Sequence, residues 1–591
     1  MKKTVLCLLV PAVLAAGCSK EEIITGGGAL VVDPSADDED DKQENTEFTR
    51  TITIVFSDTE GAKVSGDVNG VVSVTGNQVT VDNTAFEEVL RFELSGSTAN
   101  GFFKTLSNYR QAFVLNGVSI TNPDGAAINN QGKKHLYVIV NGSNSLSDGA
   151  SAAYAVADDE EDMKAVFFSE GQVVFSGEGS LTVTALNTQG KSGITSDDYI
   201  HITDAPEIRV SAGTGAGHGI RGKDYVRLSG GTLHVTTRAA MKKGIGSDGF
   251  VLVEGGETTV EVSGGVAYDN EDKEFTGTAG VKADHFFGMT GGSLTITNSG
   301  AGGKGIRAGN YDFYKANGGL NDSYISGGTL TVTTTGSESN DVSAKAIMVG
   351  FKEGSGRNYI YGGNLVVSGG TTVVSASGAE GLEAKGNLTV SGGQLCVTSA
   401  SDDAINCQGE MDVTGGYVYA FSSGNDAMDS NGDMVISGGF VYAVTTRGAP
   451  EVALDANTEG GYRLYIKPGA TVVAYGGLEN GYSATQNVYS MSCKAGGWNG
   501  LYNGSAFVAA FKAPSNISSV AVSAPSLSGG FTGVSVGESL CGGMWAADGI
   551  AGGTAVELTE YTGSGGGGPG GGGGPGGGGG PGGGGRPGGG W

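Results

Sequence analysis

Basic residues are scarce in this chain. Lys and Arg total 35 against 62 Asp and Glu, a formal net charge of −27. A nucleic-acid binder needs a basic footprint, so that class is excluded. Cysteine is also sparse, six in 591 residues, and no Cys-x-x-Cys spacing occurs, which makes a zinc–thiolate site improbable. The five histidines (135, 201, 218, 234, 285) fall in no metalloprotease spacing, and no nucleophile elbow is present. Beyond the N-terminus no apolar run is long enough for a membrane span. Convincing helical periodicity is missing throughout. Gly300-x-Gly302-x-x-Gly305 matches a dinucleotide fingerprint by letters alone, because no helical pattern follows it.

Glycine, at 110 residues, is abundant and periodic. A frame of Gly/Ala-Ile-x-x, a short strand, Ser-Gly-Gly and another strand restarts at Gly193, Gly219, Gly244, Gly280, Gly305, Ala346, Gly381, Ala404, Ala427 and Ala453. The steps are 26, 25, 36, 25, 41, 35, 23, 23 and 26 residues. Such a period means one supersecondary unit stacked on its neighbour. The pairs Leu233/Val235, Leu294/Ile296, Leu330/Val332, Leu395/Val397, Val418/Ala420 and Val441/Ala443 share an inward face by alternation. Three short strands per repeat predict an all-β fold, a right-handed parallel β-helix, with irregular β coils before it and a β cap after it.

The N-terminus reads as a targeting segment. Lys2 and Lys3 precede a short apolar run that ends in Leu14-Ala15-Ala16-Gly17-Cys18. That ending resembles a bacterial lipoprotein cleavage box, which makes Cys18 the lipidated first residue of a membrane-anchored protein at the outer membrane or cell surface. Six regions follow: signal 1–18, acidic flexible tether 19–47, N-terminal β region 48–164, repeats 165–475, C-terminal β region 476–562 and a Gly/Pro-rich flexible tail 563–591. The acidic run of the tether is expected to stay solvated and extended. Cys493 and Cys541 share the C-terminal region and could pair, whereas Cys407 falls at a small inward position that suits a buried thiol.

Aligning the restarts turns single positions into columns. The residue before each restart and the residue two after it both change sign between Lys345 and Glu380. The middle is basic: His218, Arg221, Lys243, Lys282, Lys304, Arg307 and Lys345. The later part is acidic: Glu380, Glu383, Asp403, Asn406, Asp426, Asp429 and Asp455. Like charges ~4.8 Å apart repel by about 3–4 kcal/mol at an effective dielectric near 20, so each ladder benefits from a counter-charge. All-oxygen ligands on the acidic ladder favour Ca²⁺. Uronate carboxylates suit the fork of Arg on the basic one. The alternative in both cases is a solvated face with its side chains splayed apart. Tyr417, Tyr419, Phe421, Phe440 and Tyr442 point outward in two adjacent repeats. They form a sugar-stacking patch, or the C-terminal region packs over them.

The segments Ser192-Gly-Ile-Thr-Ser-Asp-Asp, Gly219-Ile-Arg-Gly-Lys-Asp-Tyr, Gly303-Lys-Gly-Ile-Arg-Ala and Asp403-Ala-Ile-Asn resemble a bacterial family of carbohydrate-binding, polysaccharide-lyase-like β-helix proteins. The opening Asn116-Gly-Val-Ser-Ile-Thr-Asn and the ending Val508-Ala-Ala-Phe-Lys-Ala-Pro are similar too. The resemblance implies an extracellular β-helix that binds acidic polysaccharide such as polygalacturonate, or cellulose, with calcium. The family's Asp-Gly-Ile restart is altered here by His218, Lys243, Lys304 and Lys345. Three functions follow as expectations: a surface-tethered, non-catalytic binder; a Ca²⁺-assisted lyase; or a structural spacer. No catalytic residue is assigned. Arg221 or Arg307 could be a lyase base, but the basic and acidic ladders are expected several coils apart, and a lyase needs both in one subsite. Asp426 and Asp429 could form a glycosidase pair.

Overall fold

Period-two segments rich in Val, Ile and Thr form strands, and their recurrence makes each strand pair with its counterpart one repeat later. The computed structural model describes residues 22–24, 39–156, 161–270, 273–355, 358–545 and 550–563. The signal segment with Cys18 and the Gly/Pro tail lie outside them. The fold is all-β with long parallel sheets. Three ladders are visited in turn, and each circuit of the chain adds one strand to each. The first ladder is a sheet of 15 strands ending at Leu454–Ala456. One circuit illustrates the pattern: Lys243–Ser247 lies in the first ladder, Phe250–Val253 in the second and Glu257–Val262 in the third. These pair in parallel with Ala279–Ala283, Phe287–Met289 and Ser293–Asn298 of the next circuit.

The inward pairs expected from alternation are buried, from Leu233 and Val235 through Val441 and Ala443. They line one continuous core. The restart residue faces this core. A Cβ on Gly244 would lie 2.3 Å from Val260 Cγ1, and one on Gly280 2.3 Å from Ile296 Cγ2. Glycine therefore makes room for the Val or Ile of the third ladder in these circuits, with Ala346 before Val374 as an exception. In the later circuits the third ladder supplies Ala420 and Ala443, and the restart residues become Ala404 and Ala427. The second glycine of each Ser-Gly-Gly turn adopts positive φ, as at Gly231 (69°) and Gly328 (76°), a conformation that favours Gly there.

Three elements depart from the sequence reading. A helix, Tyr311–Asn317, interrupts the repeats, capped by Asn310, which accepts from Phe313 N, and ended by Gly318 in the left-handed region. The acidic run is not wholly solvated. Residues 39–45 dock on the body, and Glu22–Ile24 pairs in parallel with Asn358–Gly362. Asp41 draws the run in. It accepts from His201 Nδ1 at 2.6 Å and Tyr199 Oη at 2.5 Å, and lies 3.5 Å from His135 Nε2. Burial opposes the Asp41 charge, but these partners outweigh it and hold the carboxyl far below its ordinary range.

Past the repeats the pairing turns antiparallel. Trp498–Asn503 lies between Ala506–Lys512 and Gly529–Thr532 in a five-stranded sheet. This region is tied back to the repeats by a disulfide between Cys396 and Cys541, not by the expected Cys493–Cys541 bridge. Cys396 occupies an outward position on the third ladder beneath the turn Cys541–Gly543, whereas Cys493 is a buried free thiol against the Ile517 carbonyl. Cys407 is a buried thiol, as its small inward column requires.

Candidate functional site

Both charged columns lie on the first ladder, in register. The pairings run Thr195, Arg221, Gly246, Lys282, Arg307, Met348, Glu383, Asn406, Asp429 and Asp455, each opposite the next. The companion column lies at the start of each strand, where backbone amides link successive rungs, as in Gly219 N to Lys243 O and Gly381 N to Asp403 O. Parallel pairing without register slip is what places like charges on neighbouring rungs.

The basic stretch is poorly neutralised. Arg221 pairs with Asp248 at 2.6 Å and Lys282 with Asp284 at 2.7 Å. Among the described residues the ammonium of Lys243 bonds only to the Met241 carbonyl, and that of Lys304 only to the Ser343 carbonyl at 3.1 Å. Burial, then the charges of Lys282 and Arg307, push Lys243 down to about 7. Burial, then Arg307 and Lys345, bring Lys304 down to about 7. His218 accepts from Lys243 N at 3.0 Å, and burial followed by the neighbouring Lys243 drives its imidazole well below the ordinary range. The buried Nε of Arg307 has no hydrogen-bond partner among the described residues.

Lys345 does not belong with these cations. Its ammonium lies 2.8 Å from Glu380 and 2.6 Å from Glu383, and Lys385 lies 2.5 Å from the other oxygen of Glu383. The side chains are only 11%, 12% and 5% exposed for Lys345, Glu380 and Glu383. The basic and acidic stretches therefore abut through a buried ion cluster instead of standing several coils apart, because a repeat that lengthens in sequence still advances one rung in space. Burial lowers and the two glutamates raise the Lys345 pKa, with a net rise. Burial, then Glu383, raises Glu380, while Lys345 and Lys385 overcome burial to depress Glu383. Glu380 and Glu383 are thus engaged by ammonium groups and are not open to a metal.

Asp403, Asn406, Asp426, Asp429 and Asp455 remain. Asn406 Nδ2 donates to Asp403 and Asp429 at 3.0 Å each. Asp403 also accepts from Asp426 N at 3.0 Å, and Asp426 from Val452 N, so carboxylates stitch one circuit to the next. Burial above all, reinforced by neighbouring carboxylates, raises Asp403 to about 8, Asp426 to about 7, Asp429 to about 6 and Asp455 to about 9. The donor set is all oxygen and suits a hard cation. Among the described residues, however, the group with three carboxylate oxygens within 4.8 Å of one another is Asp162, Glu170 and Asp197. There Lys164 already contacts Asp162 at 2.8 Å and also Asp197.

The outward aromatics are not an exposed patch. Phe440 and Tyr442 are 3% and 1% exposed. Tyr442 donates to Lys512 O at 3.0 Å and its ring lies 5.5 Å from Phe511. Gly542 sits directly on the Tyr419 ring, and Tyr417 packs in the same cluster. The strand Ala506–Lys512 brings the apolar side chains that cover them. A second set escaped the sequence reading. Tyr199, Tyr225, Phe250, Phe286 and Tyr324 stack along the second ladder with centroids 4.3, 4.7, 5.1 and 6.1 Å apart. The repeat step carries the first four, since each lies six residues after its restart, whereas the helix Tyr311–Asn317 delays Tyr324.

A family model for carbohydrate-binding domain-containing proteins matches residues 75–427 and 353–494. No curated protein matches the chain. Among solved structures, a polysaccharide lyase-like protein from C. thermocellum, as a gadolinium derivative, aligns at 23% identity. The alignment covers 44% of this chain and 94% of that one, with a TM-score of 0.34.

Proposed function

The chain belongs to the family of carbohydrate-binding domain-containing proteins, and on that premise we propose that it is a surface-tethered, non-catalytic receptor for acidic polysaccharide. The observation that carries this reading is the under-neutralised cation strip of Arg221, Lys243, Lys282, Lys304 and Arg307 on one face of the first ladder, with the uncharged ring of His218 at its start. Partly buried cations that lack carboxylate partners gain most from a ligand that brings its own. A uronate-rich chain supplies one carboxylate per sugar, which matches the fork of an Arg guanidinium. We read the three-ladder winding as a right-handed parallel β-helix, Cys18 as its lipid anchor, and Asp403, Asn406, Asp426, Asp429 and Asp455 as the residues that would hold Ca²⁺.

The non-catalytic reading is favoured by the column itself. Arg307 is separated from Glu383 by the Met348 rung, and Glu383 is already held by two lysines. A lyase needs its base and a cation-holding carboxylate around one uronate. Affinity electrophoresis through polygalacturonate, with Ca²⁺ and with chelator, tests the proposal. Retardation is expected in the acidic polymer and not in a neutral glucan. Free migration in all gels would sink the receptor, and an unsaturated, ultraviolet-absorbing product would replace it with the lyase. Radiolabelled lipid incorporation, lost in Cys18→Ser, tests the anchor.

A further inference from the structure

The three long repeat steps, 36, 41 and 35 residues, all fall between Gly244 and Gly381. The 36-residue circuit begins beside Lys243 and the 41-residue one beside Lys304 and Arg307, while Lys282 lies on the 25-residue circuit between them. Elsewhere the step is 23 to 26. The extra residues form three defined elements. A hairpin, Ala267–Asp269 with Glu274–Thr276, leads into the strand Ala279–Ala283. The helix Tyr311–Asn317 leaves the strand Lys304–Ala308. A second hairpin, Phe351–Ser355 with Asn358–Gly362, leaves the strand Ile347–Val349.

From Asn77–Asn83 onward the strands of the first ladder run parallel, so their starts share one edge and their ends the other. The first hairpin therefore belongs to the incoming edge of the cation strip, and the helix and second hairpin to the outgoing edge. Each edge carries aromatic rings. On the incoming side Tyr268 and Phe275 are 45% and 43% exposed, edge to face with centroids 5.2 Å apart. On the outgoing side Tyr311 and Tyr314 pack on Phe351 at 5.3 and 5.4 Å, joining the helix to the second hairpin. A five-residue strand separates the edges by roughly 16 Å at about 3.3 Å per residue, room for one sugar chain.

We propose that these insertions flank the cation strip as the aromatic margins of a trough that grips a single polyuronate chain laid along the stack of circuits. The inference rests on the receptor reading above and assigns its site to the basic circuits. Rungs of the strip recur every ~4.8 Å, comparable with the advance of an extended hexose chain per residue. Carboxylates of successive uronates can then meet successive cations, while sugar faces stack on Tyr268 and Phe275. The circuits beyond Glu380 offer the same chain no Lys, Arg or His in either column, so the strip ends at the Lys345 cluster.

The test uses the full chain and its Tyr268→Ala/Phe275→Ala double variant. Both residues are exposed on a two-stranded hairpin, and an unchanged melting profile verifies the fold. Affinity electrophoresis is run against polygalacturonate and its methyl-esterified form. Two lost ring contacts are expected to weaken binding about tenfold. Esterification, which removes the anionic charge, is expected to abolish retardation. Hydrogen exchange with an oligogalacturonate is expected to protect residues 267–276. If the wild type is retarded and the double variant is retarded equally, the trough is wrong and the receptor reading stands. Equal binding of the esterified polymer overturns the cation floor. Failure of the wild type to bind either polymer instead removes the receptor reading itself.

Discussion

Lys345→Gln should cut the rod at the junction of its basic and acidic stretches. The substitution leaves Glu380 without its ammonium partner and Glu383 with Lys385 alone, in a site where the lysine and both glutamates are at most 12% exposed. Removing one partner of a buried ion pair costs about 3–5 kcal/mol, because the other charge stays buried and uncompensated. Stacked circuits couple mainly to their neighbours, so the loss concentrates on the strands Ile347–Val349 and Leu382–Ala384. Hydrogen exchange of their amides should quicken by roughly two to three and a half orders of magnitude. The pH dependence has a definite sign. Burial and then Glu383 already raise Glu380 above its unfolded value of 4.5, and the variant removes the ammonium that opposes that rise, so the folded form is favoured when Glu380 is protonated. The defect is therefore greatest at alkaline pH and shrinks as pH falls towards that value. Glu380→Gln added to Lys345→Gln should restore part of the loss. A cost near 1 kcal/mol, the level of a surface pair, or the same cost at acid and alkaline pH, would refute the reasoning.

The aspartate ladder makes an opposite demand on the wild type. Asp403, Asp426 and Asp455 rise to about 8, 7 and 9 from an unfolded value of 3.8, so stability in chelator should decline as pH climbs from about 4 to about 9. Calcium should restore the melting temperature at the alkaline end only, and a pH-independent melt would contradict this. Gly244→Ala should cost about 1–3 kcal/mol in urea melts because its Cβ meets Val260. Adding Val260→Ala should recover part, since Ala404 with Ala420 is the same combination found naturally, and no recovery would dissolve the proposed pairing. Asp41→Asn should free residues 39–45 and expose them to limited proteolysis. The wild-type contact holds above the unfolded carboxyl value of 3.8 and is lost as pH falls through the depressed folded one, so acid should mimic the variant.

Much of the site was legible because stacking converts period into register. Arg221, Lys282, Arg307, Glu383 and Asp455 could be aligned from restarts alone, and the pairings put them in one column. The inward face was equally legible, since alternation settles which residues of a strand meet the core. What could not be read was contact between surfaces that do not repeat. Nothing near Tyr442 announces Phe511, nothing near Cys396 announces Cys541, 145 residues away, and nothing in the acidic run announces His201.

By itself, then, the sequence determined an all-β chain of stacked repeats, the column each charge occupies and the rung at which charge changes sign. These depend on strand alternation and on contact between adjacent repeats, both encoded locally. Only the tertiary structure decided which charges are already spent, Lys345 on Glu380 and Glu383, and which lack a carboxylate partner among the described residues, Lys243, Lys304 and Arg307. It also decided that one aromatic set is core while Tyr268 and Phe275 stay exposed. Availability for a ligand depends on what covers a side chain, and that cover comes from distant, unrepeated segments of the chain.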